Sequence, residues 1–114
     1  MRQYLLALFL LLFFLIPSSA QETPKREFRG AWIQTVYQPQ YAEMDSAAMR
    51  SYFDAMLDTL QRSGINALLF QIRPESDAFY ESNIEPWSRF LTGKQGRSPE
   101  RGWDPMAYLI GKCH

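Results

Sequence analysis

The segment INALLFQI, residues 65–72, constrains the fold more than any other part of this sequence. Its near-continuous hydrophobicity is typical of a strand that is covered on both faces, as in a parallel sheet. Parallel strands need a crossover connection, which is usually a helix. The segment therefore predicts a β-α-β unit, in which a strand and a helix precede it along the chain.

The residues before this segment supply both elements. Residues 28–36, FRGAWIQTV, alternate in the period-2 manner of a strand, and residues 37–44 contain a proline and predict a loop. A helix then begins at Asp45 or Ser46, which are good N-cap residues, and ends at Gly64, which favours the C′ position. Its apolar side chains recur at helical spacing along one stripe: Met49, Tyr52, Phe53, Met56, Leu57 and Leu60.

A last helix is predicted at the end of the chain. Asp104 is its expected N-cap and Pro105 its first residue, and its apolar positions include Met106, Leu109 and Ile110. The single cysteine, Cys113, rules out an internal disulfide framework and is expected to be a small buried hydrophobe. The order β-α-β-loop-α predicts an α/β fold with a right-handed crossover.

The first twenty residues predict a secretory signal peptide. Arg2 gives a positive start, residues 4–16 are apolar, and residues 17–20 offer a cleavage site after Ala20. The apolar core is shorter than the ~20 residues that span a bilayer, so no stable membrane span is expected after cleavage, although an uncleaved anchor is the alternative. We therefore expect an exported protein, in the periplasm, in the envelope or outside the cell, and a polar linker at residues 21–27.

Cleavage would leave 94 residues with 11 basic and 12 acidic side chains. This balance argues against a nucleic-acid partner, since such binding requires a strongly basic patch. Two strands and two helices cannot cover residues 65–72 on both faces. The expectation is therefore an N-terminal fragment, or an early-terminated gene model, of a larger protein.

Residues 71–105 form a loop that is too long for an ordinary connection and too aromatic for a linker. In this loop and around it, the motifs FRGAWIQTV, GINALLFQIRPESDAFYESNIEPWSRFLTGKQG and GWDPMAYLI resemble those of bacterial glycosyl hydrolase family-10-like exported proteins. The resemblance covers residues 28–114. It implies an incomplete (β/α)8 TIM barrel, from strand 1 to part of helix 2.

The resemblance also implies a function. We expect part of an exported glycoside hydrolase that acts on O-glycosyl bonds of a bacterial envelope or another complex glycan, without a cofactor or metal. A non-catalytic glycan-binding barrel and an inactive truncated product are the alternatives. A carbohydrate polymer or oligosaccharide is the expected partner, and no oligomeric state is predicted.

In (β/α)8 enzymes the loops that follow the strands form the active-site face, so the loop after Ile72 is expected there. Aromatic rings can stack on the C–H faces of sugars, and charged groups can bind sugar hydroxyls. The substrate-binding candidates are Arg73, Asp77, Tyr80, Glu85 and Trp87, with Arg89 and Trp103 as further possibilities. An Arg73–Asp77 ion pair, local packing of Trp87 and a hydrophobic staple at Trp103 are the structural alternatives.

Glycoside hydrolysis usually needs two carboxylates, about 5–5.5 Å apart for retention or about 6.5–9.5 Å apart for inversion. Asp77 and Glu85 are weak catalytic candidates, because barrel glycosidases commonly take their acids from later strands. We therefore assign both residues substrate-binding or structural roles first.

Overall fold

The computed structural model describes residues 26–114 and shows a small α/β unit. In chain order its elements are β1 (Gly30–Ile33), α1 (Gln40–Glu43), α2 (Ser46–Arg62), β2 (Ala67–Phe70), α3 (Arg89–Thr92) and α4 (Pro105–Cys113). The predicted signal peptide at residues 1–20 and most of the linker lie outside the described residues. No helix within residues 26–114 is long and apolar enough to cross a membrane.

The predicted elements are present with different bounds. Both strands are shorter than the segments that predicted them, and a single helical turn, α1, follows Pro39 where a loop was expected. The strands pair in parallel, with Gly30 beside Ala67. The backbone of β1 comes close to β2 here, since a Cβ at Gly30 would lie 2.8 Å from Leu69 Cδ1. A larger side chain at position 30 would therefore displace Leu69.

Two amide side chains fasten the strand pair at its ends, and we call them the amide clamps. At the amino end, Asn66 Oδ1 accepts a hydrogen bond from the N–H of Arg29 at 2.8 Å. At the carboxyl end, Gln71 Oε1 accepts from the N–H groups of Thr35 and Val36 at 2.8 and 3.0 Å. The backbone groups just outside the short ladder are therefore satisfied by side chains.

Helix α2 begins and ends as its sequence predicts. The Asp45 carboxylate accepts from the N–H of Ala48 at 2.7 Å, so Asp45 is the N-cap. At the other end Gly64 has a φ of 81°, and the N–H of Ile65 donates to the carbonyl of Leu60 at 3.0 Å. This arrangement is a Schellman motif, in which the left-handed residue is glycine.

The core lies on the side of the sheet that α2 and α4 cover. Leu68 and Phe70 of β2 pack against it, and Tyr52, which was predicted on the buried stripe of α2, lies at its edge. The buried apolar cluster consists of Tyr41, Met49, Phe53, Phe79, Leu91, Trp103, Met106 and Leu109. Helices α2 and α4 therefore form one layer on one face of the sheet, and apolar packing and edge-to-face contacts between aromatic rings hold them there.

The opposite face of the sheet is open among the described residues. Trp32 is 63% exposed and its neighbour Leu69 is 41% exposed. No described element packs on the second face, which agrees with the expectation that two strands and two helices cannot cover residues 65–72 on both sides.

The predicted burial of Cys113 is wrong, since this residue is exposed. Met106 and Leu109 carry the packing of α4, whereas Ile110 is 59% exposed. The buried stripe of α4 is thus narrower than its apolar sequence suggests. Although Cys113 is exposed as a residue, nearby protein atoms partly shield its thiol from water, and this raises the pKa of the thiol.

Candidate functional site

The loop between β2 and α4 is held by its own backbone hydrogen bonds. Ala78 forms an isolated parallel bridge with Trp87. The N–H of Ala78 donates to the carbonyl of Pro86, and the N–H of Ser88 donates to the carbonyl of Ala78, both at 2.8 Å. Phe79, which follows this bridge, is fully buried. The loop therefore presents side chains from a fixed backbone at the carboxyl end of the sheet.

An ion pair at this end joins two of the predicted substrate-binding residues. The Arg73 guanidinium contacts both carboxylate oxygens of Glu85, with Nε 2.8 Å from Oε2. The Tyr80 hydroxyl donates to the same Oε2 at 3.3 Å. We call Arg73, Tyr80 and Glu85 the Arg73 cluster. The Arg73 side chain is 53% exposed and that of Glu85 only 16% exposed, so the arginine is the part that solvent reaches.

Asp77 lies elsewhere. Its side chain is fully buried, and Oδ1 accepts from the N–H of Glu75 at 3.2 Å. The alternative of an Arg73–Asp77 ion pair is therefore wrong, because Arg73 is paired with Glu85. Oδ2 of Asp77 has no hydrogen-bond partner among residues 26–114. A buried carboxylate oxygen without a donor is costly. Because Asp77 is enclosed and its other oxygen accepts from the backbone of Glu75, it acts on the loop from inside rather than at its surface.

A second bidentate ion pair lies nearby and was not foreseen. Arg89 contacts Glu75 through Nε and a terminal nitrogen, each at 2.7 Å. The hydrogen bond and the charge of Arg89 lower the pKa of Glu75, and the same pair raises the pKa of Arg89. The Arg89 guanidinium also lies 4.7 Å from the centroid of the Phe90 ring. Glu75 and Arg89 are fourteen positions apart and are separated by irregular backbone, so no periodicity indicates that they are partners.

The tryptophans divide into two roles. Trp103 is 8% exposed, its ring centroid lies 5.4 Å from that of Tyr108, and the Arg50 guanidinium lies 4.4 Å from its ring. Since Trp103 precedes the N-cap and Tyr108 is the fourth residue of α4, the predicted hydrophobic staple is confirmed. Trp87 is only partly buried and packs at the edge of the core. Trp87 therefore keeps an accessible surface, whereas Trp103 is a structural residue.

Asp104 connects the loop to α4. Its Oδ1 accepts from the N–H groups of Met106 and Ala107 at 2.8 and 3.1 Å, which confirms it as the N-cap. Its Oδ2 accepts from the N–H of Glu81 at 3.0 Å. One carboxylate therefore starts the helix and fixes the segment that follows Tyr80.

A family model supplies the next observation. The model described as glycosyl hydrolase-like 10 matches residues 27–114, which include both strands and the whole loop. The chain belongs to the glycosyl hydrolase-like 10 family. The predicted resemblance to family-10-like glycosyl hydrolases is thus confirmed.

Curated relatives of this glycosyl hydrolase-like chain are much longer. Glycosyl hydrolase YngK of Bacillus subtilis (strain 168) is 37% identical over 102 residues, which are 87% of this chain and 20% of that protein. Glycosyl hydrolase DigH of Escherichia coli (strain K12) is 33% identical over 108 residues, 86% of this chain and 24% of that protein. The chain therefore spans about a fifth to a quarter of the length of these relatives.

The catalytic assignments in this glycosyl hydrolase-like chain remain predictions. Glu85 is held by Arg73, and Asp77 is enclosed. Neither carboxylate faces solvent freely, since the Glu85 side chain is 16% exposed and Asp77 is fully buried. Among residues 26–114 no group of histidine, cysteine, aspartate and glutamate side chains could hold a metal ion. The described loop is better suited to binding and orientation than to proton transfer.

Proposed function

We propose that this chain is the N-terminal part of an exported glycoside hydrolase with a (β/α)8 barrel, which hydrolyses O-glycosyl bonds in a bacterial envelope or another complex glycan. Family membership supports this proposal, as do two much longer relatives that are named glycosyl hydrolases. Two parallel strands that alternate with helices are the unit from which such barrels are built. We call the longest natural protein that contains these residues the parent protein.

The Arg73 cluster is the observation that carries the proposal for the loop. It lies just after β2, and in parallel α/β folds ligands bind at the carboxyl ends of the strands. A guanidinium has five N–H donors, and a bidentate ion pair occupies two of them. Glu85 thus fixes the orientation of Arg73 while leaving donors for sugar hydroxyls. The rings of Tyr80 and Trp87 would add apolar contacts to the faces of the sugar.

Asp77 enters the proposal in a different role. Because its carboxylate is buried and accepts from Glu75, it would act on substrate binding by positioning the loop. Arg73, Tyr80, Glu85 and Trp87 would contact the glycan directly.

A non-catalytic glycan-binding barrel is the second candidate. Glu85 is engaged with Arg73 and Asp77 is enclosed, so the two accessible carboxylates of hydrolysis would have to come from later strands. A barrel without such carboxylates would bind a glycan and leave it intact. The two candidates differ in one measurable property. An enzyme shortens its oligosaccharide, whereas a binder leaves the chain length unchanged.

The test uses the parent protein with chitohexaose, cellohexaose and maltohexaose as probes, with affinity measured by calorimetry and chain length by mass spectrometry. Arg73→Met and Glu85→Gln should each weaken binding of the preferred sugar by roughly tenfold, because a charged hydrogen bond contributes about 1.5–3 kcal/mol. Arg62→Met is the matched control, since Arg62 forms an exposed ion pair with Asp58 on α2, away from the loop. Wild-type affinity in both loop variants would show that the Arg73 cluster is not part of the cleft.

Export is a separate part of the proposal. The sequence of residues 1–20 supports cleavage after Ala20 and release into the periplasm, the envelope or the medium. N-terminal sequencing of the protein from a bacterial host should then begin at Gln21. An N-terminus that retains residues 4–16 would indicate an uncleaved anchor instead.

A further inference from the structure

Tyr37, beyond the carboxyl end of β1, combines two unusual properties. Its φ is 55°, in the left-handed region, where a residue with a bulky side chain is a genuine outlier. Its side chain is also 73% exposed, although it is a large aromatic ring. Such backbone strain persists only where surrounding contacts enforce it, and it is concentrated at functional sites.

Contacts on both sides of Tyr37 enforce this conformation. Before it, Gln71 Oε1 accepts from the N–H groups of Thr35 and Val36. After it, the N–H of Gln38 donates to the carbonyl of Thr35 at 3.2 Å, which closes a tight turn. The ring is thus directed by a turn that is fastened to β2.

The Tyr37 ring also meets the loop after β2. Its centroid lies 5.6 Å from that of Phe90, with an angle of 72° between the planes, which is an edge-to-face contact. Phe90 also lies beside the Arg89 guanidinium, which is held by the Glu75 carboxylate. Tyr37, Phe90, Arg89 and Glu75 therefore form a continuous row from the first loop to the second, and we call it the aromatic ledge.

We propose that Tyr37 is a sugar-stacking residue and that the aromatic ledge is a second carbohydrate subsite, contributed by the loop after β1. The inference rests on the proposed function and extends it beyond the loop after β2. A rigid, exposed tyrosine offers an apolar face and a hydroxyl at low entropic cost, because its side chain has only two rotatable angles. Its place at the carboxyl end of β1 is on the edge of the sheet where ligands bind.

Substituting glycine separates binding from stability at this position. Glycine adopts positive φ without strain, and this gain offsets the lost edge-to-face contact with Phe90, so Tyr37→Gly in the parent protein should leave the Tm nearly unchanged. If the ring stacks on a sugar, the same variant should bind the preferred probe among chitohexaose, cellohexaose and maltohexaose about five- to tenfold more weakly. Tyr37→Phe keeps the ring and should stay within about twofold of the wild-type affinity, since only a hydroxyl is lost.

Phe28→Ala is the matched control. Phe28 is 74% exposed, nearly the same as Tyr37, but it precedes β1 and so lies at the amino end of the sheet. Its removal should leave the affinity unchanged. Wild-type affinity in Tyr37→Gly would overturn the inference, because the ring would then make no contact with the sugar. A marked fall in the Tm of this variant would also overturn it, because the ring would then pack inside the parent protein. Absence of binding in the wild type and in every variant would instead overturn the proposed function itself.

Discussion

Gln71 and Thr35 are joined by hydrogen bonds in which Thr35 is the donor, through both its N–H and its hydroxyl. The side-chain oxygen of Gln71 accepts from the N–H of Thr35 at 2.8 Å, and the Thr35 hydroxyl donates to the carbonyl of Gln71, also at 2.8 Å. Thr35 is fully buried. This hydrogen-bonded pair closes the carboxyl end of the sheet and holds together the two loops that carry the candidate site.

Replacing Gln71 by leucine should therefore destabilise the parent protein. The N–H groups of Thr35 and Val36 would lose their acceptor, and each unsatisfied group costs about 1–3 kcal/mol when it is buried. Urea unfolding gives the free energy directly. Gln95→Leu, at an exposed loop position, serves as the control and should change stability by less than about 0.5 kcal/mol. Equal stability of the two variants would contradict a structural role for this clamp.

Asp77→Ala should weaken glycan binding by an indirect route. The substitution removes the acceptor for the N–H of Glu75 and empties a buried position in the loop. We expect the melting temperature and the affinity to fall together, as measured by differential scanning calorimetry and titration calorimetry. A loss of affinity at full stability would instead indicate direct contact with the sugar.

The two loop tryptophans should behave differently on truncation. Trp103→Ala should cost about 3–5 kcal/mol of folding free energy, since it removes a buried ring of the core. Trp87→Ala should mainly weaken glycan binding, because Trp87 keeps an accessible surface at the core edge. Unfolding and titration measurements on both variants test this division. The opposite pattern, with a stability defect only at Trp87, would exchange the two roles.

The Glu75–Arg89 pair predicts a small acid-sensitive contribution to stability. In the folded protein the pKa of Glu75 lies below its ordinary value of 4.5. The pair therefore stabilises the fold at pH values above 4.5, and this stabilisation is lost as the pH falls through the lowered pKa. Melting temperatures measured between neutral and strongly acid pH should fall less for Glu75→Gln than for the wild type. The difference should shrink at high salt, because the pair is exposed. Parallel pH profiles would contradict the prediction.

Residues 21–114 expressed alone should fold poorly. The sheet exposes Trp32 and Leu69 on its open face, and burial of apolar surface is the main stabilising contribution. Circular dichroism should show a broad, non-cooperative loss of signal on heating, whereas the parent protein should melt cooperatively. A sharp transition in the isolated segment would show that the described core is sufficient.

Local signals in the sequence predicted the parts of the fold that depend on local chemistry. Asp45 and Asp104 cap their helices, and Gly64 ends α2 in the left-handed conformation. Trp103 forms the expected staple with Tyr108. Each of these features is determined by residues within a few positions of one another.

The features that sequence reasoning missed depend on distant residues. Arg73 forms an ion pair with Glu85, twelve positions away, and Arg89 forms one with Glu75, fourteen positions away. Tyr37 was assigned only to a loop, because the hydrogen bonds that fix its turn come from Gln71, which follows β2 and is distant in sequence. Periodicity has no information about such contacts, since a loop backbone can bring together residues at any separation.

The amide clamps have a consequence for how the length of such a chain can change during evolution. The stretch that joins the two clamped strands can gain residues at low cost, because the entropy of closing a loop rises slowly with its length. A deletion between Arg29 and Thr35, or between Asn66 and Gln71, would leave one clamp without its partner. Insertions in related sequences should therefore accumulate in the turns around α1, while the spacing from Arg29 to Thr35 and from Asn66 to Gln71 stays constant.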